Sequence, residues 1–239
     1  LTRRLAELGT EMARIAEDPD TLARAAMTLL NNGLLTEAEP VLRSMAWTQV
    51  SPRPAYAALV AHGQALLDRD PVRALAQLER AYLNYPEART SPGDLALLKA
   101  YLANDRTAAA RRMVMDLDAQ VRQTPVDLPE LVAAAVAWGD HLYQRRDYRA
   151  AADAYALAVS GTRDQANLGT QAEVQQAWAR YQQANAMLES GDYAGSLLLY
   201  RAIAASDAPW ADEAALKARA ATRELRLRGL PVPAAEAAK

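Results

Sequence analysis

The sequence predicts an all-α protein, and three observations predict it. Of 239 residues, 55 are alanine and 33 leucine, the side chains that lose least on entering a helix. Isoleucine occurs only at Ile15 and Ile203 and phenylalanine not at all, so a sheet would lack the β-branched and aromatic residues that pack its faces. One pattern of helix, turn and helix also returns along the chain at a nearly constant interval, as it does in a tandem array.

Four segments carry the pattern openly: residues 22–45, 58–81, 135–158 and 180–203. Each opens with a helix-favouring run and reaches a polar turn, written NNG, DRD, RRD or SGD. A small residue follows (Ala38, Ala74, Ala151, Ser196), then a large one four later (Leu42, Leu78, Tyr155, Tyr200). Three residues on stands another apolar residue (Met45, Ala81, Ala158, Ile203). Two helices joined by a tight turn must pass closely, and the small residue permits it. The i, i+4, i+7 spacing then aims the next two groups at the same partner helix. A weaker copy fits between 94 and 117, with Ala110, Val114 and Leu117 at those places. The five small residues are spaced by 36, 36, 41 and 45, which describes one unit with later loop insertions.

Helix punctuation agrees. Ser91-Pro92-Gly93-Asp94 offers an N-cap serine, a proline at the first helical position and an acid three after the cap. Asp18-Pro19-Asp20 and Asp207-Ala208-Pro209 are similar start signals. Residues 123–130, with two prolines, are expected to form a linker. It would divide an N-terminal half, 1–122 with units near 19–50, 55–88 and 91–122, from a C-terminal half, 131–228. Residues 211–228 read as a capping helix with Ala214, Ala218, Ala221 and Leu225 inward and arginines outward. Residues 229–239 are expected to form a flexible tail.

Composition also bounds function. A net charge of −2 and a pI near 5.8 supply no global cationic field, so no nucleic-acid partner is expected. The longest apolar run, Leu131 to Trp138, falls far short of the roughly 20 residues that cross a bilayer. There is no cysteine, hence no disulfide or thiolate metal site. The chain begins at Leu1, so we expect a processed or trimmed product. With the missing cysteines, this leans toward an extracytoplasmic place. Alanine- and arginine-rich, lysine-poor usage resembles that of bacteria with GC-rich genomes. His62 and His141 lie on first helices, without metal-ligand spacing, and no glycine-rich phosphate loop occurs. Neither a catalytic site nor a metal or cofactor is expected. Arg219, Arg223 and Arg226 form a stripe on the last helix, either a contact for an acidic partner or phosphate backbone or an ordinary solvated face. Arg145, Arg146 and Arg149 cluster at a turn and have the same two readings.

The repeating segments resemble the tetratricopeptide repeat, a helix–turn–helix unit. The resemblance is carried best by GDYAGSLLLYRAI (191–203) and RRDYRAAADAYALA (145–158). Tyr148 and Tyr193 follow the turn, and Tyr155 and Tyr200 take the aromatic place of the second helix. Trp138-Gly139 matches the bulky-then-small pair of the first helix, and Pro86 the proline that ends a unit. The likeness spans about residues 19–210. The first two copies lack the turn tyrosine, and the loop at 161–171 is longer than a regular repeat allows.

The resemblance implies a right-handed α-solenoid whose first helices line a concave groove holding a partner peptide. By register it places Met27 and Leu30, then Tyr56, Leu59 and Leu66, then Lys99 and Leu102 in that groove. Asp140 and Tyr143 follow, and then Trp178, Tyr181, Asn185 and Leu188. Asn185 matches the family's peptide-binding asparagine, but the basic residues of a carboxylate clamp are not matched. Trp178 and Tyr181 have a rival reading, burial beneath 161–171. The expected function is a non-catalytic scaffold or adaptor for a protein or peptide, in bacterial assembly, envelope or secretion processes. Alternatives are a small-molecule sensor with its ligand between the two halves, homo-oligomerisation through an uncapped N-terminal unit, and an enzyme using Asp140 with Glu173.

Overall fold

A computed structural model of the chain describes residues 18–123, 128–160 and 170–234. Among the described residues there are eleven α-helices, two short 3-10 turns and no strand. The chain divides into two compact units, Leu1–Met113 and Val114–Lys239. In the first, α1 (Pro19–Asn31) pairs with α2 (Leu35–Ser44) and also packs on α3 (Pro52–Leu66). Helix α3 pairs with α4 (Pro71–Asn84), which lies against α5 (Ser91–Ala103). The division between units falls inside α6 (Thr107–Gln123). In the second unit, α7 (Leu128–Gln144) pairs with α8 (Tyr148–Ser160), and both pack on α9 (Thr170–Ser190). Helix α9 pairs with α10 (Tyr193–Ala204), and α10 with α11 (Ala211–Leu227). Within each unit, then, the packing is mostly between helices that lie close in chain order.

The backbone repeats as the residues do. Gly33, Asp105, Arg146 and Gly191 all have positive φ, at 76°, 56°, 63° and 89°. After each, an amide reaches back to a carbonyl of the preceding helix: Leu34 to Leu29 at 3.0 Å, Arg106 to Tyr101 at 2.8 Å, Asp147 to Leu142 at 3.0 Å, Asp192 to Met187 at 2.8 Å. This is the Schellman close, in which one left-handed residue satisfies carbonyls that the helix end would otherwise leave bare. Five residues beyond each left-handed position stands a small anchor: Ala38, Ala110, Ala151 and Ser196, each with 0% of its surface exposed. Ala74 is as fully buried, but its turn is closed by the Asp70 amide on the Leu66 carbonyl at 2.8 Å. The faint copy at 94–117 therefore shares its turn with three of the four clear ones.

The anchors permit close packing, and what lies against them fills it. Leu42, Leu78, Val114, Tyr155 and Tyr200 are all buried, as are Met45, Ala81, Leu117, Ala158 and Ile203. Two first helices contribute glycine at the crossing. A Cβ at Gly63 would stand inside the Leu78 side chain, and one at Gly139 would stand 2.6 Å from Cε1 of Tyr155. Ala214, Ala218, Ala221 and Leu225 of α11 point inward, while Arg219, Arg223 and Arg226 are exposed.

Some boundaries differ from the sequence expectation. Asp18 caps α1 as expected, its carboxylate accepting from the Thr21 amide at 3.0 Å. Helix α5 is capped by Thr90 rather than Ser91, with Thr90 Oγ1 accepting from the Gly93 amide at 3.3 Å. A hydroxyl one residue earlier makes the same bond, which frees Asp94 to pair with Arg89 at 2.9 Å. Helix α11 starts at Ala211 with Trp210 at its N-cap and no side-chain cap bond, so the Asp207-Ala208-Pro209 signal is not used as a cap. In the stretch expected to be a linker, α6 runs through Gln123 and α7 resumes at Leu128, with 124–127 outside the described residues. Of the loop at 161–171, residues 161–169 also lie outside them, and so do 235–239 of the tail.

Gly139→Ala is expected to lower the unfolding free energy by about 1–3 kcal/mol, because the new methyl must displace the Tyr155 ring. Urea denaturation followed by circular dichroism measures it.

Candidate functional site

Helix α9 carries Trp178, Tyr181, Asn185 and Leu188 on one stripe, and the stripe meets α10 and α11. Its aromatic end is packed. Trp210 lies 5.1 Å from the Trp178 ring and stacks on Tyr181 at 6.0 Å, while Tyr200 meets Tyr181 edge-on at 6.2 Å. Lys217 Nζ stands 5.0 Å over the Tyr181 ring. Tyr181 is thus only 3% exposed, whereas Trp178 and Leu188 are half-buried. Among the described residues, what covers Tyr181 is the α10–α11 turn and α11; burial beneath 161–171 falls outside them. The Tyr181 hydroxyl is buried without a partner of hydrogen-bonding geometry. Burial, and after it the Glu213 carboxylate, pushes its ionisation well above the usual phenol value.

Asn185 is buried and already engaged. Its Oδ1 accepts from the Tyr200 hydroxyl at 2.6 Å and from Lys217 Nζ at 2.7 Å, and its Nδ2 donates to Gln182 Oε1 at 2.9 Å. Lys217 also lies 3.7 Å from Glu213. The amide that the resemblance assigns to a peptide backbone is thus engaged within the chain, in bonds that tie α9, α10 and α11 together. A buried hydroxyl and a half-buried ammonium both need an acceptor, and one oxygen serves both.

Asp140 stands at the same place in the preceding hairpin. Tyr155 donates to its Oδ1 at 2.7 Å, across the same separation of 15 residues as Tyr200 and Asn185. Burial raises the Asp140 carboxyl above its ordinary 3.8, and the Tyr155 bond partly opposes that. Burial, then the bond to Asp140, drives the Tyr155 phenol far upward. Tyr143, also on α7, is half-buried and meets Tyr148 edge-on at 5.1 Å.

In the first unit, Tyr56 and Leu59 belong to a core cluster with Ala81 and Ala88, at 4% and 0% exposure. Tyr56 Oη accepts from the Thr90 amide at 3.2 Å, fixing the chain as it enters α5. Both side chains are packed within the unit, against Ala81 of α4 and Ala88 of the turn that follows it. Leu30, Leu66 and Leu102 are buried too, Met27 is half-buried, and Lys99 is exposed. His62 is buried, and burial followed by Arg73 holds its ring below the usual 6.5. Among the described residues no three histidine, aspartate or glutamate side chains gather within reach of one metal ion, and no helix is long and apolar enough to cross a membrane.

The open remainder of the candidate surface is therefore Tyr143, Trp178 and Leu188 in the second unit and Lys99 in the first. Sequence reasoning missed Trp210 and Lys217, which complete the α9 cluster. Nothing in the periodicity singles out Trp210. The hydroxyl–acceptor pairs did leave a signal, a tyrosine at the anchor-plus-four place with Asp or Asn fifteen residues before it. Comparison of the chain with protein-family models, curated proteins and solved structures finds no match.

Asp140→Asn should leave the Tyr155 bond in place, as Asn185 does for Tyr200, while removing a desolvated charge. A carboxyl whose folded value is raised favours folding below its unfolded value, and that contribution is lost as pH rises through the folded value. The variant should accordingly exceed the parent in stability at neutral pH, with the gain vanishing below about 3.8; urea titrations across that range check it. Asn185→Leu strands a buried hydroxyl and an ammonium, and should cost about 2–3 kcal/mol by the same measurement.

Proposed function

We propose that the chain is a non-catalytic scaffold of tetratricopeptide type, in which each unit is a stretch of right-handed α-solenoid that holds a partner segment against its first helices. The observation that carries this reading is the recurrence of one turn: four left-handed residues, each followed five places later by a fully buried small side chain. Hairpins built on one geometry stack with a constant rotation, which generates a curved array with an inner face. Such a face is broad and semi-rigid but gathers few polar groups at one point, so it suits recognition of a segment better than bond chemistry.

In the second unit the contacts on this face are Tyr143, Trp178 and Leu188, half-buried side chains that keep part of their aromatic and aliphatic surface exposed. Rigid aromatic anchors of this kind carry much of the energy in peptide grooves. Asp140, Tyr181 and Asn185 act behind them, holding the wall in shape through Tyr155, Trp210 and Lys217. In the first unit Lys99 is the exposed polar contact, and Tyr56 and Leu59 build the wall behind it.

Selection from a random-peptide library on the folded chain tests the reading. A family of peptides should be enriched whose dissociation constants rise by about tenfold or more in Tyr143→Ala/Leu188→Ala. No enrichment, or equal binding by a variant that melts like the parent, overturns it. Tyr181 is unsuited to this test, since its removal would empty the core.

A further inference from the structure

We propose that the groove between α10 and α11 is a second binding site, which takes an acidic peptide segment of a partner protein. The groove is open to solvent and has a volume of about 510 Å³. Four guanidinium groups surround it, Arg201 from α10 and Arg219, Arg223 and Arg226 from α11, with Leu227 beside them. It shares no residue with the first-helix surface above and stands whether or not that surface binds a peptide.

The described residues leave the charge in this groove without a paired carboxylate. The acids nearest in sequence on α11 are engaged elsewhere: Glu213 lies 3.7 Å from Lys217, and Glu224 lies 3.5 Å from Arg228. Arg228 is itself turned away over the Tyr193 ring, at 4.6 Å. Like charges at i, i+4 on a helix repel by about 0.2–0.5 kcal/mol per pair, a small cost between Arg219 and Arg223 that an anion lying between them would relieve. The helix C-terminus compensates only the last turn, where Arg226 stands.

One of the four arginines already holds a main-chain oxygen of the chain itself. Gly229 reverses the chain at φ 66°, with the Leu230 amide on the Leu225 carbonyl at 2.9 Å. The non-helical residues that follow bring the Pro233 carbonyl to Arg201 Nη1 at 2.8 Å, while Val232 packs on the α9–α11 core. A main-chain oxygen of coil thus already sits against one of the four guanidiniums. The neighbouring three offer planar donor pairs that match carboxylates two bonds at a time. Leu227, 69% exposed, supplies apolar surface for the side chains between the acids.

A peptide fits better than a nucleic-acid backbone. The chain carries a net charge of −2, so no cationic field extends beyond the groove to hold a long polyanion. Four arginines gathered in one groove match a short run of carboxylates.

The test uses the full chain and a short fluorescein-labelled peptide of alternating glutamate and alanine, followed by fluorescence anisotropy. Saturable binding is expected that weakens with added salt. In Arg219→Glu/Arg223→Glu the dissociation constant should rise at least about tenfold, while Arg111→Glu, an exposed arginine outside the groove, should leave it unchanged. Circular dichroism confirms that each variant folds, and Arg219→Gln/Arg223→Gln repeats the test without charge reversal. Equal affinity in the folded groove variants overturns the proposal. So does binding of a single-stranded DNA probe in place of the peptide, or an arginine-dependent dimer, seen by light scattering, that the peptide does not dissociate.

Discussion

Two helices in a hairpin approach only as closely as the side chains between them allow, and here a small residue five places after the turn decides the distance. The left-handed turn residue sets the direction of the second helix, and the anchor then meets the first helix with no more than a methyl or hydroxymethyl group. A larger side chain at Ala151 or Ser196 would push the hairpin open and lift Tyr155 or Tyr200 out of its seat. Everything else in each unit inherits this spacing. The glycines at 63 and 139 extend the same economy of volume to the first helices, where Leu78 and Tyr155 fill the space a Cβ would take.

Close approach brings a second requirement. Tyrosine supplies the bulk that the crossing needs, but it also buries a hydroxyl, which must find an acceptor. Two successive hairpins answer alike, with a polar side chain on the first helix fifteen residues earlier: a carboxylate at Asp140, a carboxamide at Asn185. The second copy adds Lys217, so that α11 is held by a polar bond as well as by Ala214, Ala218 and Leu225. Asp140 and Asn185, polar residues on first helices, are thus structural, and the side chains left exposed beside them are fewer and more aromatic than the repeat register alone suggests.

Much of this was legible from the residues. The all-α class, the hairpin pairs and the inward face of α11 follow from alanine, leucine and a 3.6-residue period, which depend on local sequence alone. The small anchors were legible too, because only a residue with almost no side chain suits a crossing. Burial of Tyr56, Leu59 and Asn185 was not, and that of Tyr181 was read only as burial beneath 161–171. A repeat register says which face a residue occupies, but not what a later segment lays over it. Trp210 comes from a turn, outside any periodic pattern, and it is Trp210 that covers Tyr181. The cap at Thr90 was missed for a local reason, since two adjacent hydroxyls compete for the same amide and backbone geometry selects between them.

Within each unit the helices touch chiefly those next to them in the chain. Few distant segments must therefore find one another before structure is rewarded, and the entropy of closing long loops is small. Such an architecture folds quickly and opens piecemeal. A helix with a neighbour on only one side is held by half the burial of an interior one, so amide protons there exchange first and those of α9, packed on α7, α8 and α10, exchange last.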